Sequence, residues 1–479
     1  MGQYKLAKNT FSLLLNRLAQ SITSFLLTAA IARNLGAYVL GQYLLAFSYY
    51  LIFVSIISQG LKTLFTRELS RKPEEMPVYL VSGTFLQLLL SILGYIVLSF
   101  VVWLLPYSSD TSTVCYIMGL TVIPFALSNI TEAVFQAQER MNLIAFSTVP
   151  VYILRLLVMI WCMQLKYGIN YIAEIFLISE TLIFVIQWVL VIQIVQPKWQ
   201  INKDFIWQIL KYARTFLAID ALGMIASRTD ILLISLLGNE LMVGIYGAIG
   251  QLQQPFMLVV NSLCLAIFPR MIKAVDKTKE NQSKVTENIL EILMSITLPF
   301  VVGLFFIGGD LLQFIYQESN FSQATLALKI SSLALILYPS VRIFNYLLLA
   351  NGFEKFNLIE TAVTTVIGGV SGVILISSYK LMGAALMEVI GSITAFIILG
   401  YGVYSRILTL NLWRIMLRPI VISMGMLLVF IIIEKFHFNL ILEIIIPVIS
   451  YSLFTGIIVI QSLGGVSATW NKFFKKGGI

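Results

Sequence analysis

The chain has 479 residues, 59% of them apolar and only 11% charged, whereas ordinary soluble domains are roughly a quarter charged. A water-soluble globule cannot hide that much apolar surface, so a bilayer must solvate it, at about twenty mostly apolar residues per crossing helix. The net charge of +9 is scattered over many short segments, which argues against a basic nucleic-acid-binding domain and suits attraction to anionic lipid headgroups.

These features predict an all-α polytopic membrane protein of about fourteen transmembrane helices. The first predicted span, 11–32, carries Arg17, Ser21, Ser24 and Thr28 as one polar stripe at three- to four-residue spacing, with Gln20 beside it. Lys5, Lys8, the apolar run and Ala30-Ile31-Ala32 outline a signal-peptide pattern. The run is too long for a signal core, so it reads as a retained helix. Spans follow at 41–61, 78–105, 114–134, 143–163 and 172–195, with Arg155 inside the fifth and Glu180 inside the sixth. Six more run over 212–237, 243–268, 289–307, 324–350, 358–377 and 383–404. They contain Asp220, Arg228 and Asp230, then Gln251, Gln254 and Asn261, and then Arg342 and Glu388. A final pair occupies 413–433 and 440–463. Cys115, Cys162 and Cys264 fall in apolar spans and read as small core residues, without a disulfide or metal framework.

Most of the 32 Lys and Arg residues lie in alternate exposed segments, including both termini, while the opposite set holds only Arg33, Lys166, Lys380 and Lys435. Lys and Arg are retained on the cytoplasmic side of short loops, so both termini are expected there.

The two halves repeat a pattern. Leu35-Gly36, Gly41 and Tyr43 are matched by Leu237-Gly238, Gly244 and Tyr246. Tyr43 to Arg67 and Tyr246 to Arg270 are both 24 positions. Pro124, Ala137, Arg140 and Asn142 are echoed by Pro339, Ala350, Lys355 and Asn357. Two parallel six-helix lobes, 1–196 and 197–405, are therefore expected, followed by a terminal helix pair and tail over 406–479.

With Ile31-Ala32-Arg33-Asn34-Leu35-Gly36, Gly41-Gln42-Tyr43, Thr66-Arg67-Glu68-Leu69, Arg228-Thr229-Asp230 and Gly244-Ile245-Tyr246 in this order, the chain resembles a known group. It is the polysaccharide transporter branch, or O-antigen (Wzx-type) flippases, of the multidrug/oligosaccharidyl-lipid/polysaccharide (MOP) flippase superfamily. The resemblance implies a multi-pass protein of the bacterial inner membrane that moves undecaprenyl-pyrophosphate-linked oligosaccharide from the cytoplasmic to the periplasmic leaflet by alternating access. Membrane lipids, a polysaccharide polymerase and chain-length proteins are the implied partners, with no nucleic acid. In the lipid II flippase of the same superfamily a terminal helix pair is thought to make a lipid-tail groove, and 413–463 is placed to serve likewise.

An ionisable group at bilayer depth usually faces the protein interior or a wet cavity. For a pyrophosphate headgroup the need is fixed positive charge with planar donors, which points to Arg17, Arg155, Arg228 and Arg342. Gln251, Gln254 and Asn261, with Tyr49, Ser55 and Gln59, offer the neutral hydrogen-bonding groups that sugars need, and Gln20 and Ser24 of the polar stripe, which suits a wet cavity, are further substrate-binding candidates. Against that stands snorkelling of Arg17, an internal ion pair on the seventh span, and helix-joining roles for the amides. Asp220, Asp230, Glu180 and Glu388 are candidates for coupling to a proton or sodium ion; no cofactor and no metal are expected. The alternatives are a lipid II-type flippase or a multidrug/cation antiporter of the same superfamily, or a membrane polysaccharide polymerase. The polymerase is disfavoured because the longest outward break, 308–323, holds only Asp310 and Glu318, and His437 is the sole histidine. No phosphate loop, zinc motif or nucleophile with a base is present in the sequence.

Overall fold

The structure is a computed structural model that describes residues 2–275, 278–436 and 439–462. His437 and the tail beyond 462 lie outside the described residues. Among the described residues the chain is all α-helical, with short 3-10 and π turns and no strand.

The helices, in chain order, are α1 (Gly2–Val54), α2 (Gly60–Arg71), α3 (Met76–Leu104), α4 (Ser109–Leu120), α5 (Val122–Ala137), α6 (Asn142–Gln164), α7 (Ile169–Ile194), α8 (Lys203–Leu237), α9 (Glu240–Val275), α10 (Lys279–Tyr316), α11 (Ala324–Ala350), α12 (Lys355–Arg406), α13 (Leu412–Glu434) and α14 (Leu440–Ser462). Among the described residues, 10 helices are long and apolar enough to cross a membrane. The difference from fourteen has physical causes. Two of the ten are double-length: Phe11–Arg71, with 61 residues, and Lys355–Arg406, with 52. Each fuses two predicted spans and breaks at one non-helical residue, Gly36 (φ 89) and Lys380 (φ 54) respectively. Gly36 takes this left-handed conformation without a Cβ penalty. Helix α8 carries Asp220, Arg228 and Asp230 within one bilayer's length.

Several helices are inside out relative to a soluble protein. On α7, Ser179, Glu180 and Gln187 are buried, while Ile178, Val185 and Val189 are about half exposed or more. On α3, Ser82, Gln87 and Ser91 are buried, while Leu93, Ile96 and Phe100 are exposed. Hydrocarbon is as apolar as leucine, so the outer face gains nothing by burial, and polar groups are placed where they find partners. The chain is a multi-pass membrane protein.

The residues fall into two compact units: Met1–Gln251 with Tyr316–Asn320 and Gly372–Ala384, and Leu252–Ile315 with Phe321–Ser371 and Ala385–Ile479. This is a division by contact and is distinct from the 1–196 and 197–405 sequence repeat. In the first unit α1 packs on α4, α6 and α8, while α5 packs on α2, α3 and α7. A five-residue π turn, Ser55–Gln59, follows α1. The helix then continues as α2 to Arg71, so Lys62 and Arg67, which hydropathy assigns to a loop, stand on a helix. Phe65 and Leu69 of α2, Tyr79 of α3, Phe135 of α5 and Phe205 of α8 share one apolar cluster. In the second unit Phe306 of α10 stacks on Phe430 of α13 (5.2 Å), and Tyr451 of α14 donates to the Ser295 carbonyl.

Candidate functional site

In the first unit, Arg155 of α6 and Glu180 of α7 form a buried ion pair, Nη1 to Oε1 2.8 Å, with side chains 10% and 6% exposed. The same nitrogen donates to Ser179 Oγ at 3.3 Å. The Tyr152 and Phe176 rings lie 4.9 and 4.6 Å from the guanidinium carbon. Around them, Tyr50 packs edge-on against Phe125 and Phe176, and Phe47 against Phe176. Two residues with separate predicted roles, anion ligand and ion coupler, are thus one another's partner.

Seven residues further along α7, Gln187 heads a second polar cluster, which the sequence reading missed. Its Nε2 donates to Ser147 Oγ (3.1 Å) and to Glu132 Oε1 (3.3 Å), and its Oε1 accepts from Thr131 Oγ1 (2.6 Å). Glu132 is in turn paired with Lys62. Helical periodicity was the available signal, since Glu180 and Gln187 recur on one face of α7. Beside this cluster the π turn is tied to its neighbours. Ser55 Oγ donates to the Asp220 carbonyl (3.0 Å), Gln87 Nε2 to the Ile57 carbonyl (3.1 Å), and Asn129 Nδ2 to Ser58 Oγ (2.7 Å).

At the Gly36 end of α1 a third arrangement ties α1 to α4, α8, α9 and the turn after α10. Glu318 Oε2 accepts from the Ala37 N–H at 2.7 Å, capping the limb of α1 that follows the break, while Oε1 accepts from Asn320 Nδ2 at 2.6 Å. Thr111 Oγ1 donates to Glu240 Oε1 (2.8 Å) and accepts from Gln42 Nε2 (3.0 Å). Tyr107, in the short link before α4, joins its hydroxyl to those of Tyr49 (2.8 Å) and Ser235 (3.0 Å), and burial pushes its phenol above the ordinary tyrosine range. Gly41 and Gly244, picked out by the repeated pattern, press directly on each other's helices. A Cβ at Gly41 would overlap the Glu240 carbonyl, and one at Gly244 the Ala37 carbonyl.

The predicted stripe on α1 divides along its length. Arg17 and Gln20 are exposed, Ser21 and Ser24 half-buried, and Thr28 buried, with its hydroxyl on the Ser24 carbonyl. On α8, Asp220 is exposed, while Arg228 and Asp230 are half-buried and in electrostatic reach of each other. The buried Nε of Arg228 and the buried Oε1 of Gln251 have no hydrogen-bond partner among the described residues.

In the second unit, Arg342 of α11 lies over the Tyr346 ring at 5.5 Å and in electrostatic reach of Glu360 of α12. Its buried Nε has no partner among the described residues, nor has Oδ1 of Asn261 on α9. Gln254 is exposed; its neighbour Gln253 is buried and donates to Ser331 Oγ at 2.8 Å. Glu388 is half-buried on the second limb of α12. Among the described residues, no group of three or more His, Cys, Asp or Glu side chains is arranged to hold a metal.

The chain matches the profile of a family described as polysaccharide biosynthesis protein over residues 30–325, and that of the lipid II flippase MurJ over residues 243–450. No curated protein sequence matches it. Its fold is similar to the solved structure of the lipid II flippase MurJ in an inward closed conformation. That likeness has a TM-score of 0.76 and 17% identity, covering 93% of this chain and 98% of that one. An inward-facing multidrug resistance MATE family transporter of the MOP superfamily is similar at a TM-score of 0.66 and 13% identity, covering 82% and 94%. A MOP superfamily transporter from Pyrococcus furiosus is similar at 0.58 and 13%, covering 84% and 96%.

Proposed function

We propose, from the premise that this chain belongs to the polysaccharide biosynthesis protein family within the MOP flippases and transporters, that its cargo is an undecaprenyl-pyrophosphate-linked oligosaccharide. The chain is a flippase-type transporter and not an enzyme. Under this reading it lies in the bacterial inner membrane with both termini cytoplasmic, and delivers repeat units to the outer leaflet, where a polymerase and chain-length proteins would use them.

The observation that carries the reading is a buried guanidinium Nε without a partner among the described residues, found on half-buried Arg228 and, separately in the other unit, on half-buried Arg342. A buried donor of the planar guanidinium left unmatched is costly, and the oxygens of a phosphate group satisfy it well. The amide oxygens of Gln251 and Asn261, without partners among the described residues, want donors, which sugar hydroxyls supply. Asp220, Asp230, Glu180 and Glu388 remain the candidates for a coupling proton or sodium ion. Flipping that is indifferent to both pH and sodium removes that role.

The test is to delete the gene, complement it with R228A or R342A at verified expression, and quantify lipid-linked repeat units in each leaflet. Units accumulating on the cytoplasmic face in the deletion and in both variants support the reading. Normal delivery with altered drug tolerance overturns it in favour of an extruder. A second reading, lipid II as cargo, is favoured by the MurJ profile match over residues 243–450. Accumulation of lipid II in place of repeat units in the same assay selects it.

A further inference from the structure

Among the described residues Arg155 is ion-paired with one carboxylate, and it is enclosed. Nη1 is occupied by Glu180 Oε1 and Ser179 Oγ, and two aromatic rings lie against the guanidinium. The elements packed on α7 supply few other charges. From α1 come the phenols Tyr43 and Tyr50, both in electrostatic contact with the pair. From α5 comes Glu132, already paired with Lys62. Besides Arg155, α6 adds the phenol of Tyr152. From α4 come Asp110, in its exposed first turn, the buried thiol of Cys115 and the half-buried phenol of Tyr116, and on α7 itself Glu174 is exposed. An anion arriving at Arg155 would therefore place two negative groups on one cation in a low-dielectric interior. Such an arrangement is relieved by uptake of one proton.

We propose that Glu180 is a proton site whose occupancy decides whether Arg155 pairs internally or takes a phosphate group of the cargo. The exchange balances. The Glu180 carboxylate gains a proton and stays neutral beside Ser179, while Arg155 keeps its own proton and moves its ion pair from Oε1 to a phosphate oxygen. No charge is left unmatched in either state. Binding linkage is reciprocal, so a proton on Glu180 strengthens anion binding by the same factor as the anion strengthens proton binding. The inference rests on the reading of the cargo as a pyrophosphate-linked lipid.

The experiment uses the full chain in lipid nanodiscs and farnesyl pyrophosphoryl N-acetylglucosamine as the probe. As a disubstituted pyrophosphate it does not itself titrate near neutrality, so any proton taken up belongs to the protein. Wild type is expected to bind about tenfold more tightly at about pH 6 than at about pH 8, a factor within the usual span of coupling energies. It should take up about one proton per probe bound, as the exchange requires. E180Q should bind at the higher pH as wild type does at the lower, without proton uptake, and R155Q should bind weakly at both. A protonated-carboxyl band gained by wild type on probe binding, in infrared difference spectra with labelled glutamate, tests the same point without a substitution. Tight binding that is independent of pH, or equal proton uptake by wild type and E180Q, overturns the linkage and leaves the headgroup reading standing. No binding by any variant at any pH overturns both.

Discussion

Arg155 shows how a residue's chemistry can be legible while its partner is not. Its depth in an apolar span marked it as significant, but Glu180 is 25 positions away on the next helix, and only packing brings them together. Removing one partner leaves a buried uncompensated charge, whereas replacing both removes the desolvation penalty as well. E180L alone is therefore expected to cost about 3–5 kcal/mol, and R155M/E180L much less, as read from thermal unfolding in detergent. A double variant no more stable than the single one contradicts this account. The repeated glycines were more fully legible, because a pattern that places Gly41 and Gly244 in matching positions reports a backbone constraint. G41A and G244A must displace a main-chain carbonyl, and each should lower stability by more than the 1–3 kcal/mol typical of an overpacked core. G250A, with open space around it, should be nearly neutral in the same unfolding measurement.

At the scale of elements, hydropathy located the spans but not how they join. The segment from Lys62 to Arg71 looked like a loop because it is charged, yet it continues as α2, with Phe65 and Leu69 facing the apolar cluster and the charges turned elsewhere. A period of 3.6 was present, but a scan for long apolar runs is blind to an amphipathic extension. The attachment of the terminal pair was equally hidden. Glu287 of α10 accepts from the Asn411 N–H at the start of α13 (3.0 Å) and faces Arg414 (3.7 Å), and Arg418 reaches Glu291 (3.1 Å). The arginines are well exposed and each contributes about 0–1 kcal/mol. Glu287 is largely buried and serves a backbone donor as well as a cation. E287A is thus expected to loosen α13 more than R418A does, measured as faster proteolysis at the chain segment before α13. Equal cleavage rates would rule out the anchoring role.

For the whole molecule, composition alone established the class, and the order of short motifs pointed to the family. The site was only partly legible. Arg228, Arg342, Gln251 and Asn261 were named from their type and depth, and their unpartnered atoms came from the structure. Lys62 and Glu132 were missed because nothing local marks a residue whose significance is its neighbour, and Gln187 because only its periodicity with Glu180 marked it. The proposed topology predicts that single cysteines at positions 166 and 435 react with a membrane-impermeant maleimide in intact cells, while those at 140 and 355 react only after permeabilisation. The reverse pattern inverts the chain in the membrane. The buried pair also has an electrical side. With Arg155 and Glu180 both ionised, that part of the interior carries no net charge, and its displacement does no work against the transmembrane potential. Once Glu180 is neutral and no anion has arrived, the same interior carries one positive charge, worth about 2.3 kcal/mol for each 100 mV it crosses. A neutral ion pair is voltage-blind, and proton binding gives it a response to voltage.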